Sequence, residues 1–122
     1  MNFVPSDSAK TGVPNTAASV MADPVRDRFR AALRETFGDR LERAVLFGSR
    51  ARGDQQPDSD YDVAVFIRDP DRWFDEVVRL AYLGTPILVD TGAVISAKPF
   101  PADAYHQTVS LLTEIRLDGV DL

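Results

Sequence analysis

Residues 60–67, Asp-Tyr-Asp-Val-Ala-Val-Phe-Ile, constrain this chain more than any other segment. A strand turns successive side chains to opposite faces. Asp60, Asp62, Ala64 and Phe66 then share one face, and Tyr61, Val63, Val65 and Ile67 share the other. Beyond the acids both faces are apolar, so the segment reads as a central strand that needs a cover on each side. A chain of 122 residues, 44% of them hydrophobic, has room for one such core and no second domain.

The other elements arrange themselves around that strand. Asp23-Pro24 reads as an N-cap followed by proline at the first helical position. Val25, Phe29, Ala32, Leu33 and Phe37 then recur at helical spacing up to Gly38, which predicts a helix over 24–37. The short apolar run 44–47 ends at Gly48 and reads as a buried strand. Residues 54–59 are a polar loop. A second helix is expected over 71–83, with Phe74, Val77, Val78 and Ala81 or Tyr82 on one side and Gly84 as its stop. A third strand is expected at 86–89, continued or paired by 93–96. A last helix is expected over 102–116, with Tyr105, Val109, Leu112 and Ile115 inward and Val120 and Leu122 returning to the sheet. The predicted class is α+β, an α/β sandwich with a small mixed sheet and flanking helices. Residues 1–22, rich in Ser, Thr, Ala, Pro and Asn, read as a flexible tail ahead of a 23–122 domain. They lack the basic and apolar regions of a signal peptide, so the cytoplasm is the default expectation. No apolar run approaches the roughly 20 residues needed to cross a bilayer.

Composition removes several chemistries. Without cysteine there is no thiolate nucleophile and no zinc-thiolate site. A single histidine, His106, removes multi-His metal sites and argues against a Ser-His-Asp triad. A net charge of −5 argues against nucleic acid as substrate. The charge is uneven, however. Residues 26–52 hold eight arginines against four acids, and residues 53–76 hold eight acids against two arginines. The sign reverses beside Gly48.

Around that reversal the residues fit phosphate chemistry. Gly48-Ser49 directly follows a strand, where a glycine lets backbone N–H groups approach a phosphate and a serine hydroxyl adds a donor. Arg50 and Arg52 carry guanidinium forks that match phosphate oxygens. Asp60 and Asp62 place two carboxylates at the mouth of a buried strand, a repulsive arrangement that Mg²⁺ relieves. Asp90, at the end of the apolar run 87–89, is the candidate third carboxylate if that run is a neighbouring strand. Each part also has a plainer reading: a strand-to-turn glycine with solvated arginines, exposed acids at a strand mouth, a turn aspartate in Asp-Thr-Gly.

Together the parts resemble a known family. Gly48-Ser49, ten residues, then Asp60-x-Asp62 is similar to the signature of polymerase-beta-like nucleotidyltransferases. The fuller Gly-Ser-Arg-Ala-Arg-Gly-Asp…Asp-Ser-Asp-Tyr-Asp-Val-Ala-Val resembles their minimal nucleotidyltransferase (MNT) group, over about residues 24–122. The end of the chain, from Glu114 to Val120, also resembles the end of that domain, where an acid commonly precedes the glycine. The resemblance implies ATP as substrate and two Mg²⁺ ions. Gly48, Ser49, Arg50 and Arg52 would hold the triphosphate, and Asp60, Asp62 and Asp90 the metals. It also implies an antitoxin role beside a HEPN-domain RNase toxin, exercised by transferring AMP to a toxin hydroxyl. Asp90 departs from the family's hydrophobic-Asp-hydrophobic pattern, because Thr91-Gly92 follow it.

Other readings are weaker. An antitoxin that only binds its partner keeps the fold without needing turnover. An EF-hand would use Asp58, Asp60, Asp62 and Asp69, but Val63 stands where that loop needs glycine. Aminoglycoside-type nucleotidyltransferases carry a further domain for which this length has no room. Phe74 is expected in the core, Trp73 half exposed and free for a partner, and His106 on the surface. Lys98 could reach a phosphate, a weak signal taken alone.

Overall fold

The computed structural model describes residues 23–107 and 110–122; the tail expected over 1–22 lies outside them. Helix α1 (Pro24–Phe37) has the predicted bounds. The Asp23 carboxylate accepts from the amides of Val25 at 2.9 Å and Arg26 at 3.3 Å, satisfying two of the free N–H groups of the first turn. Strand β1 (Leu41–Phe47) starts earlier than its apolar run. Its polar residues are accommodated: Arg43 stacks 4.0 Å from the Tyr105 ring centroid, and Glu42 pairs with Arg68. After the one-turn helix α2 (Ser49–Arg52) and a loop comes β2 (Tyr61–Ile67).

Strand β2 is central, as its two apolar faces required. The sheet order is β3-β2-β1-β4, with β3 at Ile95–Pro101 and β4 at Val120–Asp121. Strands β1 and β2 are antiparallel, β2 and β3 parallel, and β4 runs antiparallel to β1. The sheet is mixed and the α+β class holds. One face, carrying Leu46, Tyr61, Val63, Val65 and Ile67, is covered by Phe29, Leu33 and Phe37 of α1 and by Leu80 and Ile87 of α3 (Trp73–Thr91). The other face, carrying Val45, Phe47, Ala64 and Phe66, is covered by Ala104 and by Leu112 and Ile115 of α4 (Ser110–Asp118). Ala104 belongs to a short 3-10 helix, Ala102–His106, so the single last helix expected over 102–116 is divided; Val109 lies outside the described residues. Val120 and Leu122 do return to the sheet, Leu122 N–H donating to the Ala44 carbonyl at 2.8 Å.

The largest departure from the sequence reading is α3. It does not stop at Gly84, and 86–89 is not a strand: the helix runs through Pro86 to a left-handed cap at Gly92. An interior proline costs about 3 kcal/mol in a helix. Burying Ile87 one residue later contributes about 1.5–3 kcal/mol against that cost. The end is also well capped, with the Gly92 amide on the Leu88 carbonyl at 2.8 Å and the Thr91 hydroxyl on the Ile87 carbonyl at 2.6 Å. The buried side of α3 is Glu76, Leu80 and Ile87, not Phe74, Val78 and Tyr82. Phe74 is therefore exposed (67%), and so is Trp73 (68%). The cause is Glu76, a charged residue with no exposed surface. It accepts from Arg79, from Arg40 at 3.4 Å and from the Asp71 amide at 2.9 Å. Among the described residues no helix is long and apolar enough to cross a membrane.

Candidate functional site

The site forms where β1 ends beside the start of β2. Their antiparallel register sets Phe47 opposite Asp62, so the next residue, Gly48, meets the Asp62 carboxylate. Gly48 has φ +75°, and a Cβ there would lie 2.5 Å from Asp62 Oδ2. Only glycine satisfies both the backbone angle and the approach. Ser49 opens α2, whose turn is closed by the Ala51 and Arg52 amides on the Gly48 carbonyl, both at 3.1 Å, and by the Gly53 amide on the Ser49 carbonyl at 2.9 Å. The phosphate-binding candidate Gly48 is thus held against the metal-binding candidate Asp62, with Ser49 next to it in the chain.

Asp60 precedes β2 and is exposed, while Asp62 is partly buried. The Asp62 carboxyl is pushed above its ordinary value of 3.8. Burial is the first cause; the charges of Asp60 and Glu114 add to it, and those of Lys98 and Arg52 oppose it. A partly desolvated carboxylate with a like charge beside it is stabilised in its ionised form by a cation. Mg²⁺ is commonly held by one or two carboxylates together with substrate phosphates. Asp60 and Asp62 are the residues that would hold such an ion.

The two arginines of α2 diverge. Arg50 donates to the Ser59 carbonyl at 2.9 Å and to that of Pro57 at 3.4 Å, and its guanidinium lies 4.0 Å from the Tyr61 ring centroid. It fastens the 54–59 loop on the Tyr61 side, where the sequence reading had put it on phosphate. Arg52 turns to the Asp62 side, with Asp54 at 3.4 Å and Glu114 at 3.9 Å.

Asp90 is not brought to this group. Because 86–89 is helical, Asp90 sits in the last turn of α3, in the layer that covers the Tyr61 face, paired with Arg28 of α1 at 2.8 Å. It is not among the charges that act on Asp62. Among the described residues no three His, Cys, Asp or Glu side chains form a metal-holding group. The two carboxylates suit one ion better than the two that the resemblance implied.

Two residues that the spacing undervalued stand here instead. The parallel register sets Ser96 beside Asp62 and Lys98 beside Ala64, on the Asp62 face. Lys98 Nζ lies 6.0 Å from the Phe47 ring centroid. The signal was the alternation of Ser96 and Lys98, which becomes readable only once 95–101 is known to be the neighbouring strand. Glu114 reaches the site from α4, on the far side of the sequence.

A glycine turn against a strand-borne Asp-x-Asp, inside a mixed sheet with helices on both faces, defines a polymerase-beta-like nucleotidyltransferase fold. Residues 26–103 match the family described as nucleotidyltransferase domain, and the chain belongs to that family. It is 39% identical over 69 residues to "Putative protein adenylyltransferase MJ0604" of Methanocaldococcus jannaschii. That match covers 57% of this chain and 63% of the relative, so the chain spans under two thirds of it. Among solved structures, a mutant of the toxin-antitoxin MntA-HpeT is similar at TM-score 0.57 and 20% identity, over 80% of this chain and 70% of that one. A toxin-antitoxin structure with AMP-PNP is similar at the same TM-score and identity, over 78% and 69%. At that identity the likeness concerns the fold.

Proposed function

We propose that this chain transfers AMP from ATP to a hydroxyl of a partner protein, and that it acts as the antitoxin of a HEPN-type RNase toxin in the cytoplasm. The observation that carries the proposal is the close approach of Gly48 to Asp62, which sets the Gly48-Ser49 turn against a partly buried carboxylate. The name of the archaeal relative and the toxin-antitoxin origin of the structural neighbours support the acceptor and the partner.

In this reading the Gly48-Ser49 turn binds the triphosphate, and Asp60 and Asp62 hold one Mg²⁺ that polarises the α-phosphate when bound. Arg52 and Lys98 flank the phosphates with positive charge. The acceptor hydroxyl attacks the α-phosphorus in line, a phosphodiester forms as the bond to the β-phosphate oxygen breaks, pyrophosphate leaves, and the hydroxyl proton passes to solvent.

The position of Asp90 favours a second reading, an antitoxin that neutralises by binding alone. One experiment separates the two. The partner is incubated with Mg²⁺ and ATP labelled at the α-phosphate, using the parent chain, Asp60→Asn and Asp62→Asn. Transfer predicts labelling that falls roughly a hundredfold or more in each variant, because the lost metal contact is worth several kcal/mol. Full neutralisation by the double variant would leave only the binding reading. The apo Asp62→Asn fold should be at least as stable as the parent at neutral pH. A raised carboxyl pKa costs the folded state above that pKa, and the cost vanishes as pH falls through it, so the variant's stability also depends less on pH.

A further inference from the structure

We propose that Lys98 is a fixed cation of the nucleotide site, standing beside the two carboxylates where a second divalent ion would need a third, so that the chain binds its nucleotide with one metal ion. The inference rests on the nucleotide-binding reading above and specifies the cations of that same site.

Three observations carry it. Strand β3 pairs with β2 over its whole length, from Tyr61 and Ile95 to Ile67 and Pro101, so the placement of Lys98 follows from the sheet and not from a loop. Pro99 is buried and Phe100 stacks on Phe66 at 5.2 Å, which fixes the strand just beyond Lys98. The register puts the lysine on the Asp62 face one step along the strand, with Nζ 3.5 Å from Ser96 Oγ beside Asp62 and 6.0 Å from the Phe47 ring centroid.

On the face of Asp62 the neighbouring strand supplies Ser96 and Lys98, neither of them a carboxylate. A second Mg²⁺ next to an ammonium group would meet like charge without an added carboxylate. The ammonium can instead serve the phosphates directly, as a compact point charge with three donors. It is suited to this: Arg52, the other cation of the site, is engaged by Asp54 and Glu114, whereas Lys98 forms no ion pair with a carboxylate among the described residues. Its type is distinctive as well. From residue 23 onward every basic side chain except Lys98 and His106 is an arginine.

The test counts ions and measures affinity without relying on turnover. The full chain is titrated with the non-cleavable ATP analogue AMP-CPP in Mn²⁺, and bound Mn²⁺ is counted by electron paramagnetic resonance. The expected result is one Mn²⁺ per AMP-CPP. Lys98→Ala should weaken AMP-CPP tenfold or more with Tm unchanged, and Lys98→Arg should recover most of that loss. Two Mn²⁺ per nucleotide in the parent, or an affinity of Lys98→Ala within twofold of it, overturns the inference. If AMP-CPP binding needs Asp62 but ignores Lys98, the nucleotide-binding reading survives and this inference alone falls. If the parent binds no AMP-CPP, both fall.

Discussion

The two faces of the sheet are made for different ends, and β2 divides them residue by residue. Tyr61 points to the face covered by the long helices α1 and α3. There its hydroxyl donates to Asp23 Oδ2 at 2.7 Å, tying the strand to the cap of α1, and its ring carries Arg50. Burial and that aspartate push the Tyr61 phenol up to about 12, so it stays neutral. On this face the charges are spent on structure: Arg50 on carbonyls, Asp90 on Arg28, Glu76 on two arginines and an amide. Asp62, one residue on, points to the face covered by the nine-residue α4 and a 3-10 turn. There the charges stand together incompletely neutralised, and Asp62 holds its proton more tightly than a free carboxyl would. A site that binds a cation and polyphosphate needs such unspent charge, and a closed layer does not tolerate it.

This division is broken most severely at Glu76. Glu76→Ala removes the acceptor around which Arg40, Arg79 and the Asp71 amide are arranged. Chemical denaturation should show a loss of roughly 3 kcal/mol, at the low end for a buried ion pair because both arginines are about one-third exposed. AMP-CPP affinity of the folded fraction should not change. Gly48→Ala tests the opposite face. The added Cβ meets Asp62 Oδ2 and the backbone angle becomes strained, for about 1–2 kcal/mol of stability. Binding of AMP-CPP should fall by at least tenfold, more than the stability change explains. If Glu76→Ala weakened the nucleotide and Gly48→Ala did not, the faces would not be separate.

How much of this is legible in the sequence depends on the range of the interaction. The bounds of α1 follow from Asp23-Pro24 and Gly38, and the centrality of β2 from its alternation, because both are local. The pairing of Gly48 with Asp62 is legible too, since a strand, a glycine and a spaced Asp-x-Asp carry it jointly. The direction of each arginine is not: Arg50 and Arg52 are alike in sequence and part only because one meets Tyr61 and the other Glu114. The exposure of Phe74 is illegible for a related reason. A helical pattern counts glutamate as surface, and the partners that let Glu76 be buried come from Arg40, 36 residues away, and from the turn before α3. Asp90 was misplaced because Gly84-Thr85-Pro86 has the composition of a turn, while the energy that keeps it helical comes from Ile87 packing on the sheet.

That last point has the smallest predicted effect and the clearest sign. If Gly84 ended a helix, it would occupy a left-handed position, and alanine there would destabilise the fold. In the continuous α3 it lies in the helix interior with ordinary backbone angles. An added Cβ would sit 3.7 Å from Ile95 Cβ, a normal van der Waals contact. Glycine in a helix interior costs about 0.5–1 kcal/mol relative to alanine. Gly84→Ala should therefore raise stability by about that amount in thermal or urea unfolding, and AMP-CPP binding should be untouched. A loss of stability instead would mean that the chain turns at Gly84, and Asp90 would return as a candidate at the end of a strand.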